Sequence, residues 1–306
     1  MRVFLTGSTG FVGSAVLREL GERGHETTVL IRSTSRRLWR IEGARAKRVE
    51  GDLADVGSYE GTLKSLAPDV VMHLAWDGVG NTDRNDPRQI RNIQSAMDLF
   101  LASARAGVKH LIGLGSQAEY GPIAGIAGED APAKPTTLYG ISKLATGLTL
   151  ARLGAERGVK VAWLRLFSSY GPGDETYWMI PGLILQLLDG KRPALTKAEQ
   201  VWDYCHVADV ARAVVAAGER GAAGVFNLGS GTAGPLRRIV EGVRDEIDPA
   251  LPLGFGDIPY RPDQVMHLQA DISRLCAATG WEPKVGLEQG LRQTVEWYRE
   301  HRDLVQ

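Results

Sequence analysis

The feature that most restricts what this chain can fold into stands at its start. A short apolar run, Arg2–Leu5, enters Thr6-Gly7-Ser8-Thr9-Gly10-Phe11-Val12-Gly13, and a helical pattern follows at once. Strand, glycine turn and helix in that order form the fingerprint of a dinucleotide site in a parallel α/β sheet. Gly7 permits the sharp turn, Gly10 lets backbone approach a pyrophosphate, and Gly13 lets helix and strand pack closely. The backbone around Thr9, Phe11 and Val12 opens the helix, and a helix N-terminus offers unpaired N–H groups to an anion. The spacing is GxxGxxG rather than GxGxxG. An ordinary glycine-rich strand–helix turn is the plainer alternative.

The rest of the first half continues the alternation. Candidate strands are Arg2–Leu5, Thr27–Ile31, Ala46–Glu50, Val70–His73, His110–Leu114 and Val159–Leu164, and candidate helices Val12–Arg23, Tyr59–Leu66, Gln89–Ala106 and Leu138–Arg157. The strands are short and apolar with little alternation, as in a parallel sheet with helices on both faces. A Rossmann-type, doubly wound α/β fold is predicted. After Arg165 the pattern changes, with Gly171, Pro172, Pro181 and Pro193 as breakers. His206–Glu219 reads as a helix and Val225–Leu228 as a strand that could return to the first sheet. A discontinuous boundary follows: residues 1–167 with about 201–231 in the dinucleotide domain, and 168–200 with 232–306 in a smaller α/β substrate domain.

Composition narrows the partners. Lys plus Arg and Asp plus Glu both total 36 in 306 residues, so no overall field draws the chain to nucleic acid or an anionic membrane. Cys205 and Cys276 form no CxxC pair and the six histidines show no metal spacing. No metal is expected. The first apolar run is too brief for a signal peptide, and a soluble cytoplasmic protein is the expectation.

The choice of nucleotide turns on the second strand. In such folds an acidic residue about 20 residues beyond the glycines binds the adenosine ribose, whereas an arginine there accommodates a 2′-phosphate. Here that place reads Leu30-Ile31-Arg32-Ser33, with Arg36 and Arg37 behind. The guanidinium suits phosphate and favours NADP(H) over NAD(H), against the alternative of a solvated basic loop. Asp52-Leu53 and His73-Leu74-Ala75 lie at the carboxyl ends of strands, the edge where ligands bind. His73 itself is read as a packed strand end.

Tyr139 and Lys143 stand at i and i+4 on one helical face. A lysine cation beside a tyrosine favours the phenolate and brings its proton into range for general acid or base work. YxxxK alone is a weak motif. Ser116, just after the fifth strand, could bond the same substrate oxygen and strengthens it.

Several strings then resemble one family in its own order: TGSTGFVG, Gly51-Asp52-Leu53, His73-Leu74-Ala75-Trp76, GSQAEYG, YGISK, LRLFSSYGPG, DYCHVADVA and NLGSG. Over nearly the whole chain they are similar to the extended short-chain dehydrogenase/reductases, which include nucleotide-sugar epimerases, dehydratases and ketoreductases. The resemblance implies a Ser116, Tyr139, Lys143 triad, Asn92 as the helix asparagine near the site, and a nucleotide-sugar region after Arg165. It also implies that the helices Gln89–Ala106 and Leu138–Arg157 could pair two copies into a homodimer.

Within that family, dehydratases carry an Asp-Glu pair after the triad Ser/Thr. Gln117-Ala118 stands there instead, and Glu119 is displaced and read as structural. Arg32 argues against a tightly held NAD and so against 4-epimerases. The expectation is NADPH-dependent reduction of the 4-keto group of a nucleotide-activated 4-keto-6-deoxyhexose. Tyr139 would be proton donor, Ser116 would orient the oxygen, and Lys143 would bind the nicotinamide ribose. Expected substrate contacts are Ser116, Gln117, Ala118, Tyr139, Ser168, Trp178 and Arg261. Trp202 and Ser168-Ser169 depart from the residues many relatives carry. A 4-epimerase with bound NAD and a non-catalytic NADP(H)-binding regulator are the alternatives.

Overall fold

The computed structural model describes residues 1–304 apart from 124 and 263. Its first half runs β1 (Arg2–Thr6), α1 (Phe11–Glu22), β2 (Glu26–Ile31), β3 (Lys47–Glu50), α2 (Glu60–Leu66), β4 (Val70–His73), α3 (Gln89–Arg105), β5 (His110–Ser116), β6 (Ile126–Ala127), α4 (Leu138–Arg157) and β7 (Lys160–Leu166). The chain continues through β8 (Ser168–Tyr170), α5 (Met179–Leu188), β9 (Ala194–Leu195), β10 (Val201–His206), α6 (Val207–Glu219), β11 (Gly224–Leu228) and β12 (Ala233–Pro235). It closes with α7 (Leu236–Ile247), β13 (Gly254–Phe255), β14 (His267–Ala270), α8 (Ser273–Thr279) and α9 (Leu287–Glu300).

Seven strands form one parallel sheet in the order β11-β7-β5-β4-β1-β2-β3. The order reverses between β1 and β4, and in open α/β sheets the crevice beyond the carboxyl ends at such a point takes the ligand. Successive strand residues face opposite sides. Val3 and Leu5 therefore join Leu17, Leu20, Val210 and Val214 of α1 and α6, while Phe4 joins Val71, Leu99, Phe100, Leu150 and Trp163 on the other face. Helices cover both faces, which is why the strands read as unbroken apolar runs. The doubly wound fold predicted from the alternation is the one observed.

The returning strand is β11, paired with β7. β10 goes elsewhere, pairing with β8 and β14 in parallel and β12 antiparallel, and β14 pairs with β6. β9 and β13 make a small separate pair. A third core forms where α5, α7 and α9 meet, through Leu183, Ile184, Ile239, Val243, Leu291 and Val295. Pro181 does not break the chain as the sequence suggested. It sits in the first turn of α5, where N–H groups have no partner within the helix and a missing one costs little. Among the described residues no helix is long and apolar enough to cross a membrane.

Candidate functional site

The glycine turn closes between β1 and α1 under tight steric control. Gly7 has φ +78°, and a Cβ there would stand 2.5 Å from Ala75 N. A Cβ on Gly13 would stand 2.0 Å from the Gly7 carbonyl oxygen, whereas one on Gly10 would meet only that oxygen, at 3.2 Å. Gly7 and Gly13 are thus required by packing, and Gly10 leaves an open approach. No side chain caps α1 and its first turn holds no acid. The residues fit the pyrophosphate of a dinucleotide, because the first-turn N–H groups and the helix dipole favour an anion there. Leu74 and Ala75 lie against the turn: Ala75 N donates to Thr6 Oγ1 at 3.5 Å, and Thr6 Oγ1 is 3.0 Å from His73 Nδ1. Burial lowers the His73 pKa to about 3, with Lys143 adding to the effect. That is a packed strand end, as read from the sequence.

At the end of β2, Arg32 and Arg36 are exposed, and Asp52, after β3, is exposed with its carboxylate accepting Ala54 N at 2.9 Å; Leu53 is half-buried. Arg37 pairs with Glu175 at 2.8 Å. Arg40 is buried and ties the glycine turn to the second region. It donates to Thr9 O at 3.3 Å, to Glu175 Oε1 at 3.1 Å and to Gly173 O at 2.7 Å. Trp39 beside it stacks on Trp297 of α9, ring centres 5.8 Å apart. Sequence reasoning passed over Arg40, whose one signal was its place a few residues beyond Arg36-Arg37.

Ser116 ends β5, and Tyr139 and Lys143 lie on α4, whose start is capped by Thr137 Oγ1 accepting Gly140 N at 3.2 Å. A Cβ on Gly140 would fall 2.4 Å from Ala118 O. The helix therefore lies directly on the turn that follows Ser116, and this contact gathers Ser116, Gln117, Ala118 and Tyr139. Glu119 is fully buried and accepts from Ser116 N at 2.9 Å, Trp163 Nε1 at 2.9 Å and Arg165 Nε at 2.7 Å. With every side of its carboxylate engaged it is structural, as its displaced position suggested.

Lys143 is 4% exposed; its Nζ donates to Leu114 O at 2.6 Å and lies 3.8 Å from the centre of the Trp76 ring. Burial brings its pKa down to about 7, against the pull of Glu119. Nζ is 5.9 Å from the centre of the Tyr139 ring. The phenol is pushed up by burial, and the groups that pull it back down are the Ser116 hydroxyl and the Arg84 guanidinium. The direct action of Lys143 on the phenol, expected from i,i+4 spacing, thus gives way to Arg84. The physical reason is that a backbone carbonyl and an indole face hold the ammonium elsewhere.

The loop from β4 to α3 and the start of α3 complete the surroundings of Tyr139. Trp76 stands edge-on to Tyr139 at 6.2 Å and donates to Gln89 Oε1 at 2.7 Å. Asn92 accepts Asp77 N and donates to Asp77 O, each at 2.9 Å, so it holds this loop in shape. In the second region, the Ser168 hydroxyl accepts Trp202 Nε1 at 2.7 Å. Trp178 precedes α5 and packs on Tyr177 at 5.2 Å, and Arg261 is exposed in the turn before β14. Ser168, expected to face substrate, thus has its oxygen engaged by the Trp202 indole.

The family described as NAD dependent epimerase/dehydratase matches residues 3–229. UDP-glucose 4-epimerase of Corynebacterium glutamicum is 29% identical, with 93% of this chain and 91% of that protein covered. A dTDP-glucose 4,6-dehydratase of Streptomyces griseus is also 29% identical, over 98% and 94%. Among solved structures, Thermus thermophilus UDP-glucose 4-epimerase complexed with NAD superposes with a TM-score of 0.86 at 27% identity, covering 98% of this chain and all of that one.

Proposed function

The chain belongs to the NAD dependent epimerase/dehydratase family, and we propose that it reduces the 4-keto group of a nucleotide-activated 4-keto-6-deoxyhexose, with NADP(H) as the preferred cofactor. The observation that carries this reading is the meeting of Ser116, Tyr139 and Lys143 at the carboxyl edge of the sheet, with Gln117-Ala118 beside them and the acid of that turn, Glu119, committed to Arg165. Elimination of water needs a disposable acid and base, and neither is present at that turn. A bound nicotinamide supplies the hydride. The chain's own residues do the rest: Tyr139 gives its phenolic proton to the forming alkoxide, Ser116 orients that oxygen, and Lys143 holds the nicotinamide ribose. Arg32 and Arg36 would take the 2′-phosphate, and Trp178 and Arg261 the sugar nucleotide.

A second reading has its own observation. Arg40 and Arg37 bind the β2–β3 connection to Gly173 and Glu175 across the glycine turn, an arrangement that would retain a cofactor, as a 4-epimerase requires. The UDP-glucose 4-epimerases among the relatives agree with it. Purified protein is offered NADPH with dTDP-4-keto-6-deoxyglucose, and separately UDP-glucose with no added cofactor. Stoichiometric oxidation of NADPH supports the reductase; UDP-galactose formed without added cofactor replaces it with the epimerase.

A further inference from the structure

Arg84 lies in the β4–α3 loop, and that loop docks on the start of α4. The Arg84 carbonyl accepts Tyr139 N at 2.8 Å and the Asn85 side-chain oxygen accepts Leu138 N at 3.1 Å. Two N–H groups that an isolated helix leaves unpaired are thus satisfied by consecutive residues of one loop. The same residue's guanidinium stands 5.2 Å from the centre of the Tyr139 ring, its Nε donating to Asn81 Oδ1 at 3.2 Å. We propose that Arg84 is a positioning residue for Tyr139, fixing the phenol through its carbonyl and supplying, through its guanidinium, the permanent positive charge that favours the phenolate. The inference rests on Tyr139 being the acid–base group of the site.

The groups that face the phenol decide the matter. From α4 comes Lys143, held on Leu114 O and the Trp76 ring. From the end of β5 come the Ser116 hydroxyl and the Glu119 carboxylate, the latter opposing ionisation of the phenol and paired with Arg165. From the β4–α3 loop comes Arg84. Burial weakens an ammonium, whereas a guanidinium stays charged throughout the working range. A cation within a few ångströms of an acid lowers its pKa, so loss of Arg84 raises that of the phenol.

The test reads Tyr139 directly. Tyrosinate absorbance is titrated for wild type, R84Q and R84K, each as the difference from the same protein carrying Y139F. In R84Q the midpoint is expected to rise by roughly one unit or more, about tenfold less phenolate at a given pH per unit. R84K should recover most of that shift. R84M, which keeps the aliphatic stem, gives the same comparison where the amide is not tolerated. An unchanged midpoint in the neutral variants overturns the proposal, as does an equal shift in R84Q and R84K, which would mean packing and not charge. The functional reading fails separately: a wild type that neither oxidises NADPH with the keto-sugar nor interconverts UDP-hexoses rejects it, whatever the titration shows.

Discussion

Tyr139 stands 8% exposed with its pKa raised by burial, so it holds its proton at neutral pH. That state suits a proton donor to a nascent alkoxide. Tyr139→Phe is expected to lower turnover by about 10²–10⁴ while leaving NADPH affinity, measured by fluorescence titration, within about twofold of wild type; retained turnover rejects the role. Arg32 carries a second prediction. Its exposed guanidinium stands at the end of β2 in a stretch, Leu30–Arg37, that carries no acid, so Arg32→Asp should weaken NADPH by about tenfold or more, one charge-assisted contact to phosphate being worth roughly 1.5–3 kcal/mol. NADH affinity should hold or improve, and equal losses for both nucleotides would reject the NADP preference. At this scale the sequence exposes residues whose spacing has a chemical meaning, such as Tyr139 and Lys143. It conceals Trp76 and Arg84, which matter through a loop path that no periodicity encodes.

At the scale of elements, the strand–turn–helix at the N-terminus was legible because all its constraints are local. Gly7 needs its positive φ, and Gly13 has no room for a Cβ. Later in the chain, α6 and the returning strand β11 were legible too, but the second region was not. Pro181 reads as a breaker in one dimension and opens α5 in three, and the pairing of β10 with β8, β12 and β14 joins segments distant in sequence. α7 and α9 bury only one face, through Ile239, Val243, Leu291 and Val295, against partners that the sequence does not mark. The glycine turn also carries the prediction proper to an element. Gly13→Ala places a methyl group 2.0 Å from the Gly7 carbonyl oxygen, so α1 must shift away from β1. Overpacking of this kind typically costs about 1–3 kcal/mol. The variant is expected to melt at lower temperature and to bind dinucleotide at least about tenfold more weakly, since the helix N-terminus would no longer face the anion squarely. Calorimetric affinity equal to wild type would show that the close approach at Gly13 is not what sets the turn.

Across the whole molecule, the first sheet and the second region meet at a buried acid. Asp174 follows the Gly173 carbonyl that Arg40 grips, and its own carbonyl accepts the Tyr298 hydroxyl of α9 at 2.5 Å. Its carboxyl is almost fully buried, and burial raises its pKa to about 8, opposed by Glu175 N and Arg40. The native protein thus keeps this proton over a range in which the unfolded chain has lost it. A folded pKa above the unfolded one means stability that is fully present below about pH 4, the ordinary carboxyl range, and lost as pH rises through about 8. Asp174→Asn preserves shape and removes the titration. Relative to the variant, wild type should therefore lose about 1.4 kcal/mol per pH unit between roughly pH 4 and pH 8. The comparison cancels the opposite trend from His73 and His206, both held neutral by burial, whose lowered pKa values of about 3 and about 4 remove stability as pH falls below the ordinary histidine range. Guanidinium unfolding of both proteins at several pH values measures the difference directly. Parallel curves would mean that Asp174 is ionised in the native state and that Arg40, rather than a retained proton, compensates the carboxylate at the junction.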